Sequence, residues 1–288
     1  MTLKTLIDRL INAPLVVYLY RLYINAQENY IGLIAAGVAF YFFMGAFPAL
    51  AALISLYGLF SDPRFITEQL EGFSNFLPPE SFSILVGQAR AIAGSSGAAL
   101  SLGLIFGIIL TIYSATRGVK ALINGFNIAY RTKETRNLLT LNGTAFFLTF
   151  LLMVYFLLSL SLVALMPAFF QFIHLPGVVT ALALSLRWPI LFMLAVVGLE
   201  ILYYLGPCFR RPKWQWVSWG SVVATILWLV CSSFFSLFVS NFGNYNETYG
   251  SLGAVAVLLL WFWMSALTIL FGAEINATLD RFREASDG

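Results

Sequence analysis

One histidine, two cysteines and charge on only 10% of 288 residues leave this sequence without most of the equipment of a soluble enzyme. A soluble domain carries charge on about a quarter of its residues. The lone His174 excludes a histidine-rich metal site, and Cys208 with Cys231 makes no disulfide framework. No nucleophile–base pair, Walker loop, redox motif or nucleotide fingerprint stands in the chain, so no cofactor and no ATP-driven engine are expected. The same figures exclude a disordered chain and a nucleic-acid binder. What the sequence has instead is 60% hydrophobic residues and a mean hydropathy of +0.87. One core cannot hide that much apolar surface, and lipid is the solvent it needs.

A helix crosses the bilayer core of about 30 Å with about 20 apolar residues, each rising about 1.5 Å. Uncharged runs predict six such spans, roughly 31–60, 98–116, 138–166, 188–205, 215–239 and 252–272. The stretch 137–186 carries no charge and has room for an extra half-span, broken at Pro167, His174, Pro176 and Gly177. Thirteen of the Lys and Arg residues fall at the termini and in the second and fourth loops; Arg64, Arg90 and Arg187 are the other three. The positive-inside rule then places both termini in the cytoplasm. The expected fold is an all-α polytopic membrane protein. It has six transmembrane helices plus amphipathic interfacial helices in a single membrane domain over 1–288.

The segments between spans have their own patterns. In the N-terminal region 1–30, Leu3, Leu6, Ile7 and Leu10 recur at helical spacing, as in a helix lying on the membrane rather than a cleaved leader. The outer loop 61–97 reads as two amphipathic helices split by Pro78-Pro79. The inner basic loop 117–137 has a stripe of Val119, Leu122, Ile123, Phe126 and Tyr130. Residues 274–288 form a cytoplasmic tail. Ala99, Gly103 and Gly107, and again Gly220 with Ala224, allow close helix approach.

Four ordered motifs carry a resemblance over nearly the whole length. They are FYFFMGAFPALAALISLYGLF, ALINGFNIAYRTKETR, YYLGPCFRRPKWQWVSWGSVVATILW and YGSLGAVAVLLLWFWMSALTILFGAEINA. With them the chain resembles the bacterial YihY/virulence factor BrkB family of inner-membrane proteins. The resemblance implies a six-span, all-helical inner-membrane fold and an inclination toward transport. Members were once labelled ribonuclease BN. The residues give that label no support, having neither metal-ligand spacing nor an acidic cluster on a soluble domain. Glu200 departs from the family pattern, so no role is carried over to it.

The polar residues of the spans are the candidate site. Glu200 lies about 9 Å in from Gly206 at helical rise. A charge that deep costs about 2.5–3.5 kcal/mol, so it is either a pathway residue or a hydrogen-bonded structural acid. Glu274 ends the last apolar run, as an interfacial ion-pair partner of Arg117, Arg131 or Arg210, or as an inner gate. Arg117 is a positive-inside anchor or an anion partner, and Asn124 and Asn127 cap helices or contact substrate. Gly45 and Pro48 mark either a broken helix that frees backbone groups or a proline kink. Arg210, Arg211, Lys213 and Trp214 form a basic, aromatic cluster suited to an anionic lipid head group.

Two functions fit these residues. One is an inner-membrane transporter or lipid translocator moving a small or amphiphilic substrate through the bundle past Glu200. The alternative is a non-conducting scaffold or partner of cell-envelope machinery, marked by a dry core around a buried, bonded Glu200. An intramembrane enzyme needs a second polar residue near Glu200 that the sequence does not name, so no enzymatic activity is expected. Expected partners are membrane lipids and a homo-oligomer or envelope protein, with no nucleic acid.

Overall fold

The structure, a computed structural model, describes residues 14–60, 97–166, 177–208, 216–240 and 251–287. These contain seven α-helices and no strand. They are α1 (Pro14–Glu28), α2 (Ile31–Phe60), α3 (Gly97–Ala129), α4 (Leu138–Leu160), α5 (Gly177–Leu205), α6 (Trp219–Ser240) and α7 (Ser251–Asp287). A π-helical turn, Ser161–Leu165, prolongs α4. Six helices, α2 to α7, are long and apolar enough to cross a membrane. Side chains such as Leu102, Phe106, Phe146, Phe156 and Phe234 stand exposed on them, as lipid-facing residues must. Residues 1–13, most of the outer loop, Pro167, His174, Pro176, Arg210, Arg211, Lys213 and Trp214 lie outside the described residues.

Two helices run differently from the sequence reading, and a third lacks the break that one of two readings gave it. No break separates the second span from the inner amphipathic stripe: α3 carries both in 33 residues. Val119, Leu122, Ile123 and Phe126 are buried on that helix, so packing holds it straight through Arg117 and Gly118. The last helix continues past Gly272 through the segment read as a tail, since ATLDRF holds no helix breaker. Finally, α2 is one helix across Gly45 and Pro48, which corrects the broken-helix reading. Proline has no N–H for the carbonyl one turn back, yet a span tolerates it when neighbours pack closely.

The chain divides into two compact units. The first comprises Met1–Ala36, Val119–Cys231 and Met264–Gly288; the second comprises Gly37–Gly118 and Ser232–Trp263. In the second, α2 and α3 meet through small residues. Gly45 faces Ser114, and a Cβ on Gly107 would stand 2.8 Å from the Pro48 carbonyl oxygen. In the first unit, α6 and α7 cross at Gly220 and Gly272, where any Cβ would overlap the facing backbone. The Tyr203 hydroxyl of α5 donates to the Ile269 carbonyl at 2.8 Å, and its ring packs edge-on against Phe126 at 5.6 Å.

Candidate functional site

Polar side chains gather inside the first unit, and local capping chemistry begins the cluster. Ser218 caps α6: its hydroxyl accepts from the Ser221 N–H at 3.2 Å, and the Ser221 hydroxyl accepts from the Ser218 N–H at 3.3 Å. This is a reciprocal capping box built from two serines. The Ser221 hydroxyl lies 3.1 Å from Glu200 Oε1 and 2.9 Å from the Ser218 carbonyl, with one proton to give. Asn276 of α7 ties in from the other side. Its amide donates to Ser218 Oγ at 2.8 Å and its carbonyl accepts from the Gly220 N–H at 2.8 Å. Asn276 also shares a hydrogen bond with Tyr130. Burial, then the nearby Asp280, then Glu200 and Glu274 hold the Tyr130 phenol well above its usual range, against the bond from Asn276. Tyr130 thus feels both membrane carboxylates.

Glu274 is fully buried. Asn29, from the α1–α2 connection, donates to its Oε1. Arg281, two turns further along α7, stands 3.8 Å from its Oε2. That guanidinium donates to Thr278 Oγ1 at 3.1 Å and to the Ala129 carbonyl at 2.9 Å, which closes the C-terminus of α3. Asn25 of α1 donates to the same Thr278 hydroxyl and accepts from Arg131. The backbone at these contacts is unusual: Tyr30 and Arg131 have φ of 50° and 53°. Each lies beside a residue of the cluster, and a left-handed residue with a Cβ costs about 1–2 kcal/mol. At Arg131 the return is a Schellman closure, with Thr132 N–H bonded to the Asn127 carbonyl at 2.8 Å and Arg131 N–H to Ile128 at 3.0 Å.

A third cluster fastens α3, α4 and α5. Glu134 and Arg136 pair at 2.7 Å, and the Arg136 guanidinium also reaches the Leu205 and Gly206 carbonyls at the end of α5. Asn127 donates to Glu134 and accepts from the Cys208 N–H. Chiefly through the bond from Arg136, the Glu134 carboxyl is held down at about 2. The same bond raises the Arg136 guanidinium.

The sequence candidates therefore part company. Glu200, Glu274 and Asn127 all enter buried networks of the first unit, but Asn127 serves the helix junction. Asn124 is exposed one turn away. Arg117, in the second unit, is exposed and bonds Tyr113 on its own helix at 3.0 Å. Glu274 takes Arg281, not Arg117, as its ion pair, and Arg131 acts on it only through charge. Sequence reasoning missed Asn29, Tyr130, Ser218, Ser221 and Arg281. The signal for the two serines was the S-x-x-S spacing at a helix start; nothing local marks Asn29 as a partner of a residue 245 positions away.

Residues 22–288 match the family described as virulence factor BrkB. A ribonuclease-like protein of Bacillus subtilis, YfkH, is 28% identical over 261 residues, covering 88% of this chain and 91% of that protein. A UPF0761 membrane protein of Tolumonas auensis is 33% identical over 92 residues, 32% of this chain and 30% of its own length. One of Alteromonas mediterranea is 39% identical over 85 residues, 30% of this chain and 29% of its own. No solved structure matches the chain. With the family match running through all six apolar helices, the chain belongs to the virulence factor BrkB family.

Proposed function

We propose that this protein is an inner-membrane translocator that moves a small or amphiphilic substrate, with both termini in the cytoplasm. The observation that carries the reading is the burial of two carboxylates, Glu200 and Glu274, in the same compact unit of membrane helices, both acting by charge on Tyr130. A bundle that only has to pack in lipid needs no ionisable group, and such groups in spans mark ion and substrate routes. The positive charges at the termini and inner loops support the orientation. We read the chain as non-enzymatic despite the ribonuclease wording of the YfkH name, because its sequence has neither metal-ligand spacing nor an acidic cluster on a soluble domain, and we read the Ser221 hydroxyl beside Glu200 as part of the α6 cap.

A second reading has its own support. Glu200 is 4% exposed with Ser221 on its Oε1, which suits a non-conducting scaffold and moves the weight of the site to Glu274. Thiol access separates the two. With Cys208 and Cys231 replaced by Ser, a Glu200→Cys protein in native membranes is treated with a small impermeant thiol reagent from each side. A translocator that alternates between states labels slowly from at least one side. A scaffold, folded and unlabelled from both sides, contradicts the proposal.

A further inference from the structure

The bonds of the network leave one of its carboxylate oxygens open. Glu274 is 0% exposed, and its Oε2 has no hydrogen-bond partner among the described residues. Arg281 does not close on it, being 3.8 Å away with its two terminal nitrogens committed to Thr278 and to Ala129. Moving the guanidinium onto Oε2 would uncap α3. A buried carboxylate charge with one direct donor and one distant cation is poorly compensated. A proton is the ligand that fits this oxygen, since it needs no additional room and cancels the charge.

We infer that Glu274 is a proton-binding site, and that the ion coupled to substrate movement is the proton. This rests on the translocator reading and names its coupling ion. The step is an uptake: an O–H bond forms at Oε2, nothing in the protein is cleaved, and the site gains one positive charge. Asn29 keeps its bond to Oε1 throughout, and release reverses the uptake. The groups facing Glu274 come from each packed element: Asn29 before α2, Tyr130 and Arg131 at the end of α3, and Arg281 on α7. Asp280 acts on Arg281 and Tyr130, and Glu200 of α5 acts on Tyr130. Neutralising Glu274 weakens the pull on Arg281 and on Arg131, so α1, α3 and α7 all sense the proton.

The test needs no substrate. Full-length protein with isotope-labelled glutamate, in lipid nanodiscs, is followed by infrared difference spectroscopy from mildly acidic to mildly alkaline buffer. The expected result is a pH-dependent protonated-carboxyl band that E200Q keeps and E274Q removes. Should E274Q fail to fold, N29A decides: losing the donor to Oε1 shifts the same band to higher frequency. No pH-dependent glutamate band, or one unchanged in E274Q or in N29A, overturns the proton site. Thiol access at position 200 fails or succeeds independently. Access without a titrating Glu274 leaves a translocator and discards its proton; a titrating Glu274 without access does the reverse.

Discussion

The two units pack alike and differ in what they bury. Each has glycines where helices touch: Gly45 and Gly107 in the second, Gly220 and Gly272 in the first. Among the described residues, Ser55 is the buried polar side chain of the second unit, whereas the first buries Asn127, Glu200, Ser221, Glu274 and five others. Close backbone approach is enough to hold helices together in lipid. Buried polarity is therefore an addition to the packing, and among the described residues all of it but Ser55 lies in the first unit.

The largest effect should come from the shared feature. Gly220→Ala drives a Cβ into the Gly272 carbonyl and the Asn276 side chain, and should cost about 3 kcal/mol, read as a lowered unfolding midpoint in detergent. Gly107→Ala in the second unit should lose a comparable amount, while Gly143→Ala, with nothing within 4 Å, should lose nothing. If Gly107 behaved like Gly143 and not like Gly220, the likeness of packing between the units would be gone.

Next comes the polarity. Asn276→Ala strips partners from Ser218 and the Gly220 N–H, an expected loss of about 2 kcal/mol, against a near-neutral Ser55→Ala. Equal losses would erase the contrast between units. Arg136→Ala removes the Glu134 pair and the cap on α5, again with an expected loss of about 2 kcal/mol. It also carries a pH signature. Glu134 sits at about 2 in the folded protein, below its usual value, so its contribution is present above the usual carboxylate range and fades as pH falls toward about 2. Wild-type stability should drop across that acid window more steeply than that of R136A. Of the changes expected to destabilise, Tyr203→Phe is the smallest, about 1 kcal/mol for the lost bond to Ile269.

Much of the fold was legible because lipid simplifies the code. Six uncharged runs became six helices, and the stripe from Val119 to Phe126 was buried as its spacing required. Helix ends were harder. Arg117 and Gly272 look like boundaries in a hydropathy count, yet tertiary packing carries α3 and α7 beyond them. The candidate site was half visible. Glu200 and Glu274 stand out because charge is scarce in spans, but Asn29, Tyr130 and Arg281 are ordinary residues at helix ends. Their role arises only when distant segments meet.

Water access to the two interiors is the most direct measurement. In the background lacking Cys208 and Cys231, Ser221→Cys and Ser55→Cys report on buried positions of the first and second units. An impermeant thiol reagent in native membranes should modify Ser221→Cys and spare Ser55→Cys, because the proposed translocator requires the polar interior to open. Equal protection of both would contradict the account and leave a sealed bundle whose carboxylates are structural.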